Sequence, residues 1–158
     1  MIELKNLVKK FDTVPVLDGV DLTIPSGTAF GLLGSNGAGK STILRLISGI
    51  YRPEGGELLV DGQPAYDNVA TKQRIFFIND ETVQFTGYTL EKQKNFYKPY
   101  YPNFSEETFE RLRESIKLPL KRKLNTFSEG MKRQAIVSVA LACGTEYLLL
   151  DEAFDGLD

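Results

Sequence analysis

A glycine-rich segment, GSNGAGKST from Gly34 to Thr42, restricts the possible folds of this chain more than any other feature. It follows the apolar run from Ala29 to Leu33, which is typical of a strand buried on both faces of a parallel sheet. It precedes a pattern of apolar residues that predicts a helix beginning at Lys40 and ending at Gly49. A strand, a glycine-rich turn and a helix in this order predict a loop that binds phosphate groups.

The segment fills the pattern G-x-x-x-x-G-K-[S/T] with Gly34, Gly39, Lys40 and Ser41. Glycines allow successive backbone N–H groups to close around phosphate oxygens, the lysine neutralises the β- and γ-phosphates, and the serine hydroxyl is a ligand for Mg²⁺. The alternative is a glycine-rich turn that binds nothing. The residues expected to contact the phosphates are Gly34, Ser35, Asn36, Gly37, Ala38, Gly39, Lys40, Ser41 and Thr42.

Two acidic residues, Asp151 and Glu152, follow the apolar run from Tyr147 to Leu150, which predicts a second buried strand. A carboxylate at the carboxyl end of such a strand can hold Mg²⁺ through water, so Asp151 is a candidate metal residue. The adjacent Glu152 is the candidate general base for an attacking water. The alternative is a solvated strand end without a catalytic role.

The remaining segments predict strands and a largely helical insertion. Alternating or continuous apolar patterns indicate strands at Ile2 to Lys5, Val20 to Ile24, Glu57 to Val60 and Ile75 to Ile78. Strand signals disappear between residues 84 and 127, where Ser105 precedes a helical pattern. We favour a small core of its own for the aromatic residues of this insertion over a groove that docks a partner. These aromatics are Phe96, Tyr97, Tyr100, Tyr101, Phe104 and Phe109.

Composition excludes several classes of function. The net charge of −2 gives no strong attraction to nucleic acid, and no apolar stretch approaches the length of a membrane span. Histidine is absent, which excludes zinc sites of the usual type and acid–base catalysis by histidine. The single cysteine, Cys143, has helical spacing with apolar neighbours and is predicted to lie in the core. We expect a cytosolic protein.

Taken together, these motifs resemble the nucleotide-binding domain of ATP-binding cassette (ABC) proteins from Met1 to Asp158. Ser128 and Gly130 match the family's LSGGQ signature, and Glu129 stands where the family usually has glycine. The resemblance implies an α/β fold: a P-loop NTPase core of the ABC type with an antiparallel β subdomain and a helical insertion at residues 84–127, in one incomplete domain. It also implies that Ser128, Glu129 and Gly130 contact the phosphate held by an opposite subunit. By its own residues, this segment predicts only the start of a helix capped by Ser128.

Three further positions acquire roles from the resemblance alone. Phe11 falls where the family often has a tyrosine that stacks on adenine, although an aromatic there is also compatible with core packing. Asp80 falls where the family has a glutamine that senses Mg²⁺, and residues 155–158 resemble the D-loop. The family's switch histidine lies on a later strand, so we expect Asp158 to be a truncation, with C-terminal strands missing.

The function implied is that of an ATPase subunit of a membrane transporter, with ATP and Mg²⁺ as cofactors. Its partners would be a second ABC ATPase subunit, identical or different, and transmembrane permease subunits, and no nucleic acid is expected. It would lie in the cytoplasm, peripherally at the inner face of the cell membrane. Two alternatives remain open at this point: a non-catalytic nucleotide-binding or regulatory module, and an ABC ATPase outside transport.

Overall fold

The computed structural model describes residues 1–79, 85 and 87–151. The chain forms two compact units, Met1–Lys72 and Gln73–Asp158, which are described separately below. Among the described residues, no helix is long and apolar enough to cross a membrane.

An antiparallel sheet of four strands forms most of the first unit. Its strands are β1 (Ile2–Phe11), β2 (Val14–Ile24), β3 (Gly55–Val60) and β4 (Gln63–Pro64), in the spatial order β2-β1-β3-β4. The alternation predicted for the first two strands is confirmed: Ile2 and Leu4 of β1 are buried, and the apolar residues from Val20 to Ile24 of β2 are less exposed than the polar residues between them. The strand predicted at Glu57 to Val60 is present as part of β3, which pairs antiparallel with β4. The antiparallel β subdomain implied by the family resemblance is therefore present.

Two helices complete this unit, α1 (Lys40–Ile47) and α2 (Val69–Lys72). Helix α1 buries Ile43 and Ile47, as its sequence pattern predicts, and also Leu46, whereas Leu44 of the pattern is only partly buried. It ends at the predicted place: Ser48 is the C-cap, and Gly49 adopts the left-handed conformation with φ of 70°. A Cβ atom at Gly49 would lie 2.6 Å from the carbonyl oxygen of Ala65, so glycine is required there for two reasons.

The prediction of a strand from Ala29 to Leu33 is wrong. The structure places these residues in an irregular segment, and Leu33 is 97% exposed. A strand needs a neighbouring strand to bond its backbone N–H and C=O groups, and none of the described strands pairs with this segment. The apolar run indicated burial, but it contained no information about which strand would pair with it.

The described part of the second unit contains a parallel strand pair and three helices. These elements are β5 (Ile75–Ile78), α3 (Leu90–Tyr97), α4 (Glu106–Ser115), α5 (Glu129–Ala142) and β6 (Tyr147–Leu150), with 3₁₀ turns at Lys98–Tyr100 and Leu124–Thr126. Strand β5 pairs in parallel with β6, from Ile75 opposite Tyr147 to Ile78 opposite Leu150. The side-chain hydroxyl of Ser105 accepts a hydrogen bond from the backbone N–H of Thr108 at 3.1 Å, which confirms the predicted cap.

Burial in this unit agrees with part of the sequence prediction. Strand β6 forms where predicted, but only Leu149 of its four residues is buried and Leu148 is exposed, because β5 is its sole strand partner in the described part of the chain. Cys143 is buried as predicted, and burial raises the pKa of its thiol to about 12. This thiol is therefore a core group and chemically inert near neutral pH.

The aromatic residues of the insertion are divided between core and surface. Phe109 is fully buried, and Tyr97, Tyr101 and Phe104 pack against the same core. Phe96 and Tyr100 remain exposed, with their ring centroids 5.7 Å apart. The preferred prediction of core packing is thus correct for four of the six rings, but this core is not the insertion's own, because it also contains Phe76 of β5 and Ile136 of α5. The helical period explains why the other two rings point outward.

Candidate nucleotide site

The glycine-rich loop has the backbone geometry that its glycines predict. Gly37 and Gly39 have φ values of 83° and 88°, a conformation that residues with side chains rarely adopt. Between them the backbone N–H of Ala38 donates to the carbonyl oxygen of Ser35 at 3.1 Å and closes a tight turn. Gly34 to Ala38 are all exposed, so the loop is accessible to a ligand.

Lys40 points its ammonium group back across the loop. Its Nζ atom donates to the carbonyl oxygens of Gly34 at 2.7 Å and Ser35 at 2.9 Å. An ammonium group has three donors, so a phosphate oxygen can accept the third bond while the other two hold the loop. The Lys40 ammonium group, which is predicted to neutralise phosphate charge, therefore lies beside the glycine-rich loop.

The N-terminus of α1 provides the second attraction for an anion. The helix begins after Gly39, and within the described chain no side chain caps this end. Its first turn contains Lys40, Ser41 and Thr42 and no acidic residue. The partial positive charge of a helix N-terminus favours anions, and none of the described residues provides an acidic cap that would compensate it. These features fit the phosphates of a nucleotide, and when a nucleotide is bound its phosphates supply the negative charge that this end lacks.

The hairpin of β1 and β2 lies directly against the end of the loop. A Cβ atom at Gly39 would be 2.9 Å from Cδ2 of Leu17 and 3.4 Å from the carbonyl oxygen of Val16. The same hairpin carries Phe11, which pairs with Val14 near the turn and is 41% exposed. The core alternative for Phe11 is therefore disfavoured, and its ring lies on an element that contacts the phosphate loop.

This contact predicts unequal effects of alanine at the two loop glycines. Gly37→Ala adds a methyl group with no atom within 4 Å, so it should cost only the strain of the backbone, about 1 kcal/mol. Gly39→Ala has similar strain and also pushes into buried Leu17, which should cost about 1–2 kcal/mol more. Urea unfolding of both variants without nucleotide measures the difference. Equal losses of unfolding free energy in the two variants would show that Leu17 moves aside without a measurable energetic cost.

The acidic candidates lie in the second unit, where the structure describes only Asp151. Its backbone N–H donates to the carbonyl oxygen of Ile78 at 2.9 Å, which extends the parallel pairing by one residue. Asn79 and Asp151 thus follow β5 and β6 at the same edge of the sheet. Asp80, Glu152 and the D-loop candidate at residues 155–158 lie outside the described residues. Within the described chain, no group of three or more acidic or cysteine residues gathers to hold a metal.

The signature candidates form the beginning of α5. The Ser128 hydroxyl caps the helix by accepting a hydrogen bond from the backbone N–H of Met131 at 3.2 Å. Glu129, the unusual acid, forms an ion pair with Lys132 at 2.6 Å, and its side chain is 74% exposed. Lys132 therefore offsets part of the negative charge that Glu129 brings to this helix N-terminus, next to Gly130 in the same turn.

Two residues near Phe11 have no counterpart in the sequence predictions. The Tyr51 ring is nearly perpendicular to the Phe11 ring, with centroids 5.4 Å apart, and the Nζ atom of Lys9 is 5.2 Å from the Phe11 centroid. Neither residue belongs to a periodic pattern or a motif. Only the family resemblance at Phe11 pointed to this place, and Tyr51 is 40 positions away from Phe11 along the chain.

The sequence matches the ABC transporter family over residues 17–155. It is 35% identical to the ABC transporter ATP-binding protein YtrB of Bacillus subtilis (strain 168), over 158 residues that are 100% of this chain and 54% of that protein. It is 31% identical over 164 residues to the linearmycin resistance ATP-binding protein LnrL of the same organism, which is 100% of this chain and 53% of that protein. The chain spans about half the length of these curated relatives.

Solved structures show the same fold. An ATP-binding subunit of an ABC transporter superposes with a TM-score of 0.88 at 28% identity, covering 100% of this chain and 68% of that one. A dimeric bacterial ABC transporter cassette, MJ0796, superposes with a TM-score of 0.85 at 24% identity, covering 100% of this chain and 76% of that one, and supports the fold alone. These likenesses confirm the predicted α/β P-loop fold of the ABC type.

Proposed function

This chain belongs to the ABC transporter family, and from that membership we propose that it is the ATP-binding and ATP-hydrolysing part of a transporter subunit. Hydrolysis would power the movement of a substrate across a membrane through partner membrane subunits. The substrate is not encoded in the residues described here. Similar ATP-binding proteins are named for sulfate/thiosulfate import and for linearmycin resistance, two different tasks.

The observation that carries this proposal is the arrangement of the loop, Lys40 and α1. The loop is exposed, Lys40 lies across it, and the helix N-terminus adds positive potential at the same place. The cation and a helix N-terminus without a side-chain cap among the described residues together place positive potential beside an exposed loop. A triphosphate satisfies both the cation and the helix N-terminus, which favours a nucleotide ligand.

The proposed chemical roles combine the residue types with the family resemblance, on which the roles of Phe11 and Asp80 rest entirely. Lys40 and the backbone from Gly34 to Thr42 would hold the phosphates, and Phe11 would stack on the base. Ser41, Asp151 and Asp80 would hold Mg²⁺, whose charge shields the phosphates when it is bound. Glu152 would accept a proton from the attacking water. These metal and base assignments rest on the family pattern.

Partners and location are also part of the proposal. Ser128, Glu129 and Gly130 would contact the nucleotide of a second ABC ATPase subunit, either identical or different. Permease subunits would keep the protein at the inner face of the cell membrane, on the cytoplasmic side. The names of similar proteins, which describe ATP-binding proteins for import and resistance, support such an assembly.

A second candidate function, a non-catalytic or regulatory nucleotide-binding module, is favoured by Glu129. A carboxylate in the first turn of α5 repels a phosphate that approaches the same helix end. The ion pair with Lys132 reduces this repulsion, which is why we rank catalysis first. An ABC ATPase outside transport is a further alternative, although the near-neutral charge gives no attraction to nucleic acid.

Phosphate release from Mg-ATP by the purified full-length protein distinguishes these functions. We expect release above background, and its loss when Mg²⁺ is chelated. ATP binding without phosphate release, alone and with the membrane subunits, would contradict the ATPase and support the non-catalytic module. Activity that responds to DNA or ribosomes and not to membrane subunits would support an ATPase outside transport.

A further inference from the structure

Phe11 does not stand alone at the end of the β1–β2 hairpin. Its ring and the Tyr51 ring meet at an interplanar angle of 75°, with centroids 5.4 Å apart. Such perpendicular pairs are favourable because the edge of one ring meets the electron-rich face of the other. Although it packs against Tyr51, Phe11 remains 41% exposed, so much of its ring is still accessible to a ligand.

The ammonium group of a buried lysine lies close to both rings of this aromatic pair. Lys9 is 8% exposed, and its Nζ atom lies 5.2 Å from the Phe11 centroid and 5.5 Å from the Tyr51 centroid. The ammonium group donates to the carbonyl oxygen of Arg52 at 3.0 Å and to Oε1 of Glu54 at 2.7 Å. A buried charge persists only when it is paired, and here each partner lies in the segment that carries Tyr51.

Glu54 forms two further hydrogen bonds between the segment that carries Tyr51 and β1. Its Oε2 atom accepts a hydrogen bond from the backbone N–H of Lys10 at 2.8 Å, and its own N–H donates to the carbonyl oxygen of Val8 at 2.9 Å. The hydrogen bond from Lys9, followed by that from Lys10, holds the pKa of the Glu54 carboxyl below its usual value. The carboxylate is therefore ionised at neutral pH and pairs with Lys9.

Tyr51 is also fixed to the helix that follows the phosphate loop. Its backbone N–H donates to the carbonyl oxygen of Arg45 in the last turn of α1 at 3.1 Å, and the Arg45 guanidinium carbon lies 5.9 Å from the Tyr51 ring centroid. Helix α1 thus has the phosphate loop at its N-terminus and Tyr51 just beyond its C-terminus. A second connection between the phosphate loop and the aromatic pair runs through the β1–β2 hairpin. There Leu17 pairs with Lys9 and lies against Gly39.

We propose that Tyr51 and Lys9 are positioning residues that hold the Phe11 ring in place for stacking on the base of a bound nucleotide. This inference rests on the proposed function. A ring at the end of a hairpin would otherwise sample several rotamers, and binding would have to select one of them. The perpendicular Tyr51 ring and the Lys9 cation restrict that choice in advance. Because Tyr51 is attached to α1, the base platform and the phosphate loop are held by one element.

The test compares Tyr51→Leu with Tyr51→Phe in the full-length protein, using Mg-ATP and Mg-tripolyphosphate as two ligands. Tripolyphosphate has the phosphates without the base. Tyr51→Leu should weaken ATP binding about five-fold, because it removes the aromatic neighbour that orients Phe11. It should change tripolyphosphate binding less than about two-fold, because the phosphate loop is a separate site. Tyr51→Phe retains the ring pair and should bind both ligands as the wild type does.

A double variant tests Lys9 without leaving a buried charge unpaired. Lys9→Met with Glu54→Gln removes both charges together, and thermal unfolding shows whether the variant folds. It should again weaken ATP binding more than tripolyphosphate binding. Glu57→Gln, an exposed change on β3, is the matched control and should alter neither.

Three results would overturn the inference. Equal weakening for both ligands would show that Tyr51 supports only the fold. Unchanged ATP binding in folded Tyr51→Leu would show that Phe11 needs no support from it. A wild-type protein that binds ATP no better than tripolyphosphate would show that the base is not stacked. Failure of the wild type to bind either ligand would instead overturn the proposed function, and the inference with it.

Discussion

Lys40→Met is expected to weaken binding of Mg-ATP by the full-length protein about 100-fold, which corresponds to a loss of ~3 kcal/mol. The side chains have similar length, so the substitution removes the positive charge and its hydrogen bonds with little change in volume. In the structure the Lys40 ammonium group already bridges the carbonyl oxygens of Gly34 and Ser35. The variant therefore loses both the cation for the phosphates and the bonds that hold the loop closed.

Equilibrium binding of a fluorescent ATP analogue measures this effect. Lys5→Met is the matched control, because Lys5 is an exposed lysine of β1 whose ion pair with Glu3 is long, at 3.5 Å. The control should bind ATP normally. The unfolding free energy should fall by only about 1 kcal/mol in Lys40→Met, because the bonds of Lys40 are exposed. Unchanged ATP affinity in this variant would contradict the assignment of the loop as the phosphate site.

Glu152→Gln is expected to lower ATP turnover by about 10²–10⁴-fold while ATP affinity stays within about two-fold of the wild type. An amide has nearly the shape of a carboxylate but cannot accept the proton of the attacking water. The reaction should therefore stop after nucleotide binding. Steady-state phosphate release and equilibrium binding, measured on the same preparation, separate the two steps.

The control for this variant is Glu57→Gln, which makes the same chemical change on the exposed surface of β3. It should leave turnover unchanged. If Glu152→Gln hydrolyses ATP at the wild-type rate, Glu152 is not the general base. Another group would then have to activate the water. That outcome would leave the phosphate-binding role of the loop intact, because the Lys40 variant tests it independently.

Local signals in the sequence predicted much of the observed structure. The glycines of the phosphate loop, the start of α1 at Lys40 and the caps at Ser105 and Ser128 were all predicted from neighbouring residues and were found. The reason is physical: a turn with positive φ, a helix cap or a period of 3.6 depends on interactions within a few residues. Such interactions are encoded in short stretches of sequence.

The failures involve burial and pairing between distant segments. The run from Ala29 to Leu33 has the apolar character of a buried strand, but it is exposed because no described strand bonds to it. Leu148 has the same character and is exposed on β6. Apolarity measures the tendency to leave water, whereas burial requires a particular neighbour, and no local pattern identifies that neighbour.

The sequence by itself determined that GSNGAGKST forms a glycine-rich turn that leads into a helix, for which we propose phosphate binding, because the required glycines, lysine and helix start are consecutive. The tertiary structure decided which residues surround that loop. It brought Leu17 and Val16 against Gly39, and it placed Tyr51 and Lys9 beside Phe11. The contacts of Gly39 with the hairpin and of Tyr51 with Phe11 join segments separated by 20 or more positions, so they arise only when the sheet and α1 pack together.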